Sequence, residues 1–264
     1  MIDEGRRGNW PAGPTLIAGP HTMVLHDPAG SAGPGRALPE WTILLSPAGH
    51  IEWRTGRSPG RCGPGVIFPP QLSYHASCTT GQLTVLLDPW YQGLGPGLGR
   101  AVPLDSGTAV YLAGRWSTVD TADLDKRARE TVTYLRDRHL LPPPVAVDPR
   151  VSAAVQGLHM TDGVASAAAG VGLSASRLRA LVHDLTGTSP VRLRMWRRLR
   201  TAMLGLADKP IALAAADAGF ADQAHLTRTA SRLLGRTPGD LVRMLQDPRD
   251  RRLRDDVPAT AAAV

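Results

Sequence analysis

The sequence predicts an α+β chain, with a small β-barrel and attached helices in its N-terminal part and only helices in its C-terminal part. Three observations predict this. Short β-type segments separated by Gly and Pro turns fill residues 41–87, as in small barrels and sandwiches. Three consecutive prolines at 142–144 can end a helix and stiffen a linker. A degenerate repeat with helical periodicity occupies residues 164–238.

The N-terminal part is predicted as a barrel over residues 16–90, followed by helices within 105–141. The predicted strands are Trp41–Leu45, Ile51–Arg54, Val66–Phe68, Ser73–Ser77 and Leu83–Leu87. Residues 1–15 and 28–39 are rich in Gly and Pro, and we expect them to be loops. A short helix is expected near Gly107–Ala113 and a longer one over Thr121–His139, in which four apolar residues share one face.

The predicted domain organisation has four parts. An N-terminal domain covers residues 1–141 and a linker covers 142–150. A C-terminal domain covers 151–246, and a disordered tail follows over 247–264. A length of 264 residues is enough for two domains that each bury a core.

Bulk composition indicates a globular chain, with 42% hydrophobic and 20% charged residues. No apolar run approaches the roughly 20 residues that span a bilayer, and the first residues lack the apolar segment of a secretion signal. We therefore expect a cytoplasmic protein with no membrane partner. Cys62 and Cys78 are expected to be ordinary thiols, with a redox pair or a soft-metal site as the alternatives.

Positive charge is concentrated in the C-terminal part. Residues 1–150 hold 14 Lys and Arg against 13 Asp and Glu, whereas residues 151–264 hold 16 against 10. The excess of +6 therefore lies where the repeat lies, and phosphate groups would be its natural partners. An Arg-rich composition alone would give the same excess.

The repeat consists of two copies, over 164–190 and 211–238. Their offset is 47 residues up to the Gly172 and Gly219 turns and 48 beyond them. Each copy reads as a short Ala-rich helix, a turn at Gly and a longer helix stopped by Gly with a nearby Pro. This is the outline of a helix-turn-helix, whose second helix can enter a DNA major groove.

In the first copy, Ser174 stands where a helix N-cap is expected. Leu178, Leu181, Val182 and Leu185 form the predicted inward stripe. The outward residues, which are candidates for DNA contact, are Ser176, Arg177, Arg179, Ala180 and His183.

A helix from Pro190 to about Leu206 is expected to join the two copies. At ~1.5 Å per residue it would span about 25 Å, and two second helices could then lie about one DNA turn, ~34 Å, apart. It carries arginines at 192, 194, 197, 198 and 200. These form either a solvated helix face or phosphate contacts, and Arg197 and Arg198 are retained as candidates for the latter.

In the second copy, Asp222 is expected to cap the second helix. The candidates for DNA contact are Gln223, Ala224, His225, Thr227 and Arg228. Gln and Arg can bond bidentately to adenine and guanine edges respectively. For His225 we favour a structural role.

Residues 151–246 resemble the DNA-binding domain of the AraC/XylS transcription factors. The matching residues are 168–174 with Arg177 and Leu178, 187–190, Arg198 and Leu199 with Ala202, 214–228 and 234–238. The resemblance implies a sequence-specific regulator whose two second helices read adjacent grooves of double-stranded DNA, with RNA polymerase as a partner if it activates. Val182 and Ala230 replace the family's usual aromatic residues, and Gly205 replaces a Leu, which implies different or looser packing.

Residues 38–90 loosely resemble the cupin-like barrels found in front of this DNA-binding domain, on the strength of residues 63–70 and His75. Such a domain would bind a small-molecule effector. The candidate pocket residues are Trp41, His50, Trp53 and His75. Helix 121–139 resembles the dimerisation helix of these regulators, which implies a homodimer; a helix packed on its own barrel is the alternative.

Catalytic cupins hold their metal with a His-x-His pair, a Glu and a later His, whereas this chain has His50-Ile51-Glu52. We therefore predict no catalytic residues, no metal and no cofactor. The alternatives are a metal or thiol sensor built from His50, Cys62, His75 and Cys78, and a cupin-type metalloenzyme fused to a DNA-binding module. A non-specific architectural DNA binder is a further alternative.

Overall fold

A computed structural model describes residues 13–30, 32–33, 37–46, 49–97, 99–117, 121–161, 163–206 and 208–245. The strands are β1 Thr15–Ala18, β2 Thr22–Asp27, β3 Ala32–Gly33, β4 Trp41–Leu45, β5 Ile51–Thr55, β6 Arg61–Gly63, β7 Gly65–Phe68, β8 Tyr74–Ser77, β9 Gln82–Leu87 and β10 Val102–Leu104. The helices are α1 Pro89–Gln92, α2 Ser106–Trp116, α3 Leu124–Asp137, α4 Pro149–Gly157, α5 Val164–Ala169, α6 Ala175–Thr186, α7 Pro190–Gly205, α8 Ile211–Asp217, α9 Gln223–Leu234 and α10 Pro238–Leu245.

The described strands pair into two antiparallel sheets. The larger has the order β1-β2-β9-β4-β7-β10 and the smaller β3-β8-β5-β6. Central strand β4 is buried along its whole length, because it is paired on both edges and covered on both faces. In β5, buried Ile51 and Trp53 alternate with exposed Glu52 and Arg54, so the smaller sheet presents one face to solvent. The closed barrel stays a prediction.

All five predicted strands exist, but β1, β2, β3, β6 and β10 were not predicted. β3 lies inside the segment expected to be a loop, residues 28–39, and β10 lies beyond the predicted barrel limit at residue 90. Pro103 obscures β10 in the sequence, although an edge strand tolerates proline and β10 lies at the end of the larger sheet's strand order, beside β7. β1 lacks the expected alternation because all four of its residues are half-buried. The predicted tail, 247–264, and most of the predicted entry segment, 1–15, lie outside the described residues.

Helices α2 and α3 pack on the larger sheet. The four predicted apolar residues of α3, from Leu124 to Leu135, are buried in one cluster with Val24, Ile43 and Val85. This packing corresponds to the alternative of a helix covering its own domain. Dimerisation would use the polar outer face of α3, and it stays a prediction.

Seven helices, α4 to α10, make up the described part of the C-terminal half, and five of them, α5 to α9, are the helices that the two repeat copies and the joining helix predict. Val182 and Ala230, which replace the expected aromatics, are both buried. A Cβ at Gly205 would lie 3.4 Å from the Cβ of Ala214. An added Cβ at Gly205 would therefore be in ordinary contact with α8, and the expected difference in packing at these three positions stays a prediction.

The two halves share buried surface. Met23, Leu38, Leu86 and Trp90 of the N-terminal half belong to the same apolar cluster as the buried residues of α4 to α9. The segment 142–148, which contains the three prolines, has no helix or strand, and α4 begins at Pro149 inside the predicted linker. Within the described residues, no helix is long and apolar enough to cross a bilayer.

Candidate nucleic-acid interface

Both helix-turn-helix units have the same backbone design. Gly172 and Gly219 turn the chain with φ of 67° and 76°, a left-handed conformation that glycine adopts at low cost. Ser174 Oγ accepts a hydrogen bond from the Arg177 backbone N–H at 3.2 Å, and Asp222 accepts one from the His225 N–H at 2.6 Å. The two predicted N-caps are confirmed.

The second helices also end alike. The left-handed residues Gly187 and Gly235 follow α6 and α9, with φ of 67° and 70°. The Gly187 N–H donates to the His183 carbonyl, and the Gly235 N–H donates to the Ser231 carbonyl. The repeat seen in the sequence is therefore a repeat of local structure.

Helix α6 exposes one face. Its buried residues include Leu178, Val182 and Leu185, and Leu181 is half-buried. The five outward candidates are exposed: Ser176, Arg177, Arg179, Ala180 and His183. Nothing in the protein covers this face, within the residues that the structure describes, and its contact with DNA stays a prediction.

Helix α9 exposes fewer of its candidates. Gln223, Ala224 and Arg228 are exposed, whereas His225 and Thr227 are half-buried. The His225 ring meets the Phe220 ring edge-on, with centroids 5.2 Å apart, which fits the favoured structural role. Thr227 donates its hydroxyl to the Gln223 carbonyl at 2.9 Å.

The five arginines of α7 all contact other parts of the protein. Arg192 donates to the Ala37 carbonyl at 3.1 Å, and Arg194 donates to the Thr161 carbonyl. The Arg198 guanidinium lies against the second turn, because a Cβ at Gly219 would be 3.2 Å from its Cζ. Arg197 and Arg200 face the N-terminal half.

A buried group of ionisable side chains lies where α7 meets the N-terminal half; we call Glu40, Asp88, Arg197, Arg200 and His21 the interdomain ion cluster. Arg200 donates to Glu40 Oε1 and to Asp88 Oδ1, both at 2.7 Å, and to the Gly19 carbonyl at 2.7 Å. Arg197 lies 3.5 Å from Asp88 Oδ2, with its side chain 11% exposed.

His21 completes the cluster. Its Nδ1 lies 3.4 Å from Asp88 Oδ2, and its ring stacks on Tyr91 with centroids 3.7 Å apart. Its Nε2 lies 3.3 Å from the Gln156 side-chain amide of α4. The cluster therefore connects the N-terminal half to two helices of the C-terminal half.

Burial shifts the pKa of two members of this cluster in opposite directions. Burial raises the pKa of Glu40 to about 8; Arg200 opposes the rise, and the Asp88 charge adds to it. Burial also lowers the pKa of His21 to about 4; Asp125 opposes the fall, and Arg197 and Arg200 add to it. Near neutral pH, Glu40 therefore holds its proton and His21 is uncharged.

This titration predicts a pH dependence of stability. Between pH 4.5 and 8 the folded protein keeps a proton on Glu40 that the unfolded chain releases, so the free energy of unfolding falls as pH rises. His21 acts oppositely, but only between about 4 and 6.5. We expect a fall of at most about 2 kcal/mol from pH 6.5 to 8, at ~1.4 kcal/mol per pH unit.

Denaturant unfolding at several pH values measures this fall. Glu40→Gln should remove it, and exposed Glu52→Gln, the control, should keep it. A Glu40→Gln protein that loses as much stability as the wild type between pH 6.5 and 8 would contradict the assignment.

For Arg197 and Arg198, the expected contact with DNA phosphates stays a prediction. Neither is a free cation in this structure, since Arg197 faces Asp88 and Arg198 packs on the turn at Gly219. Arg200, Glu40 and Asp88 were not expected to interact. Arg200 lies four residues after Trp196 and seven after Leu193, so helical periodicity alone places it on the buried face of α7.

The expected effector pocket is only partly assembled. Trp53 and His75 line an open groove of about 510 Å³ on the smaller sheet. The other lining side chains include Glu52, Arg54, Arg61, Cys62 and Ser77. Trp41 instead lies in the larger sheet and donates its indole N–H to the Gly95 carbonyl at 2.9 Å. His50 is exposed and does not line the groove.

The four residues of the metal or thiol sensor alternative are not brought together either. Cys78 is buried and lies 2.7 Å from the Thr80 carbonyl and 3.3 Å from Ser46 Oγ, whereas Cys62 is exposed in the groove. Among the described residues, no group of three or more His, Cys, Asp or Glu side chains could hold a metal ion.

Comparison with known families matches residues 167–244 to a helix-turn-helix domain. Three solved structures of ToxT from Vibrio cholerae share the fold. An apo ToxT variant from strain SCE256 gives a TM-score of 0.60 at 11% identity, covering 87% of this chain and 100% of ToxT. Fatty-acid-bound wild-type ToxT from that strain gives 0.58 at 11% identity, covering 89% and 96%.

ToxT from strain O395, bound to (E)-4-(8-methylnaphthalen-1-yl)but-3-enoic acid, gives a TM-score of 0.59 at 8% identity, covering 89% of this chain and 100% of ToxT. No curated protein sequence matches the chain significantly. The chain therefore contains a helix-turn-helix domain at residues 167–244 and shares its overall fold with ToxT.

Proposed function

We propose that this protein is a sequence-specific transcription regulator that binds double-stranded DNA through α6 and α9 and responds to a small-molecule effector. The observation that carries the proposal is the pair of matching helix-turn-helix units joined by one continuous helix, α7, with the outward faces of α6 and α9 exposed. Two such faces on one rigid helix suit two successive major grooves.

The exposed side chains that carry hydrogen-bonding groups would recognise the bases. Arg179 of α6 and Arg228 of α9 can bond to guanine, and Gln223 can bond to adenine. Ala180 and Ala224 would offer methyl contacts, for example to thymine. Ser176, Arg177 and His183 are exposed beside them and would complete the α6 contact.

The groove on the smaller sheet is the proposed effector site. It brings the guanidinium groups of Arg54 and Arg61 beside the Glu52, Cys62 and His75 side chains, and the two guanidinium groups suit a ligand with a carboxylate. ToxT has been crystallised with an unsaturated fatty acid and with a naphthyl butenoic acid, and these two compounds are the first probes to use. Saturable binding that Arg54→Ala and Arg61→Ala weaken, with exposed Arg100→Ala as control, is the expected result.

Genome-wide mapping of bound DNA, with and without such acids, tests the proposal. We expect enriched promoter fragments and a purified protein that prefers them to random duplexes of equal length. Equal affinity for both would favour a non-specific architectural binder. A homodimer through α3, RNA polymerase as a partner of an activator and a cytoplasmic location belong to the same proposal, which assigns no catalytic step.

A further inference from the structure

The outward face of the smaller sheet carries two opposite charges on one strand. In β5, exposed Glu52 and Arg54 alternate with buried Ile51 and Trp53. Two residues of a strand advance by roughly 6.6 Å, so the side chains of Glu52 and Arg54 leave the same face at about that spacing. A carboxylate and a guanidinium therefore stand side by side in the open groove of about 510 Å³.

The neighbouring strands extend this pair into two rows. Directly opposite residues of paired strands lie on the same face, with Cβ atoms about 4.5–5.5 Å apart. The first row has Glu52 between Cys62 of β6 and Ser77 of β8. The second row has Arg54 opposite His75 of β8. One row therefore offers a carboxylate with a thiol and a hydroxyl, and the other offers a guanidinium with an imidazole.

The two charges are not neutralised by the protein. Opposite charges on facing strands stabilise a sheet, yet Glu52 faces no arginine or lysine across its strands and Arg54 faces no carboxylate. Within the part of the chain that the structure describes, neither side chain forms an ion pair, with the other or with any third group. Both charges are thus open to a ligand.

We propose that this groove binds a zwitterion: an α-amino acid, or a compound with the same adjacent ammonium and carboxylate groups. The Arg54 guanidinium donates to the ligand's carboxylate with its forked geometry, and the Glu52 carboxylate accepts from the ammonium. Ser77 and His75 each supply a further hydrogen-bonding group beside them. This inference rests on the proposed effector site and names its ligand class.

Charge balance favours a zwitterion over a simple acid or a simple amine. A lone carboxylate is attracted by Arg54 but repelled by Glu52 in the next row, and a lone amine meets the reverse. The two charges of an α-amino acid are attached to one carbon atom, so they match two rows that are neighbours on the sheet. Such a ligand leaves neither side chain of the pair without a counter-charge.

Three probes with matching carbon chains test the ligand class. L-norleucine carries both charges, hexanoate lacks the ammonium group and pentylamine lacks the carboxylate. Calorimetric titrations are made at low ionic strength, where exposed charges are screened least. We expect norleucine to bind about tenfold more tightly than either single-charge probe, the lower end of what one hydrogen bond to a charged group contributes.

Substitutions in the groove test which residue holds which charge. Glu52→Gln keeps the shape but removes the charge, so it should weaken norleucine binding about tenfold without weakening hexanoate binding. Arg54→Ala should weaken the binding of both probes. Arg57→Ala is the matched control and should bind all three probes as wild type does, because Arg57 is exposed in the same β5–β6 hairpin but does not line the groove.

Equal binding of norleucine and hexanoate to the wild type would overturn the zwitterion site and leave a carboxylate site in place. Norleucine binding that Glu52→Gln does not change would do the same. Failure of the proposed effector site gives a different result, in which norleucine, hexanoate and both acids crystallised with ToxT fail to bind, and this result would overturn the zwitterion site too. A wild type with no preference for mapped promoter fragments would contradict the DNA-binding function, and norleucine binding would still support the zwitterion site.

Discussion

Replacing Arg200 with Ala should lower the free energy of unfolding by about 3–5 kcal/mol, the scale for removing one partner of a buried ion pair. Arg200 is only 4% exposed and makes three 2.7 Å hydrogen bonds, to Glu40, Asp88 and Gly19. Without its guanidinium, the buried Asp88 carboxylate loses its 2.7 Å partner and keeps longer contacts to Arg197 and His21.

Denaturant unfolding measures this loss, with Arg232→Ala as the control because Arg232 is exposed on α9. Removing the charges together should recover much of the stability, since no carboxylate is then left unpaired. The variant for this is Arg200→Met with Glu40→Gln and Asp88→Asn. A loss from Arg200→Ala no larger than that from Arg232→Ala would contradict the role given to this residue.

Arg228→Ala should weaken binding to a mapped promoter site by about 1–3 kcal/mol and relax the preference at one base pair. Arg228 is exposed on α9, one turn beyond Ala224, on the face that the helix-turn-helix geometry directs to the groove. A guanidinium that bonds bidentately to guanine loses both bonds when it is truncated.

Titrations on the promoter site, on single-base variants of it and on random duplexes distinguish a contact of Arg228 with a base from a contact with a phosphate. Arg100→Ala is the control, because it removes an exposed charge from the N-terminal half. An equal loss on promoter and random DNA would mean that Arg228 touches phosphate alone. If Arg228→Ala lowers the affinity for neither DNA, Arg228 does not contact DNA.

The C-terminal half was predictable because its structure is local. Caps at Ser174 and Asp222, turns at Gly172 and Gly219, and helical periodicity act over a few residues, and each appears in the structure as expected. The strands were harder. β10 pairs with distant β7, for example Val102 with Ile67, and β1 pairs with neighbouring β2 but is half-buried throughout and lacks the alternation of a strand with one buried face.

The charges were the least predictable feature. Which arginines of α7 face solvent depends on how the two halves pack, and no local pattern encodes that packing. The carboxylates of Glu40 and Asp88 lie 160 and 112 residues from Arg200, so their pairing is not visible in the sequence, although the buried position of Arg200 is.

Footprinting of the purified protein on a mapped promoter fragment tests whether α6 and α9 read DNA together. We expect protection in two adjacent major grooves on one face of the duplex, about one helical turn apart, with Arg179→Ala reducing the protection of one groove and Arg228→Ala that of the other. Protection of a single groove, or uniform protection without a sequence boundary, would contradict it.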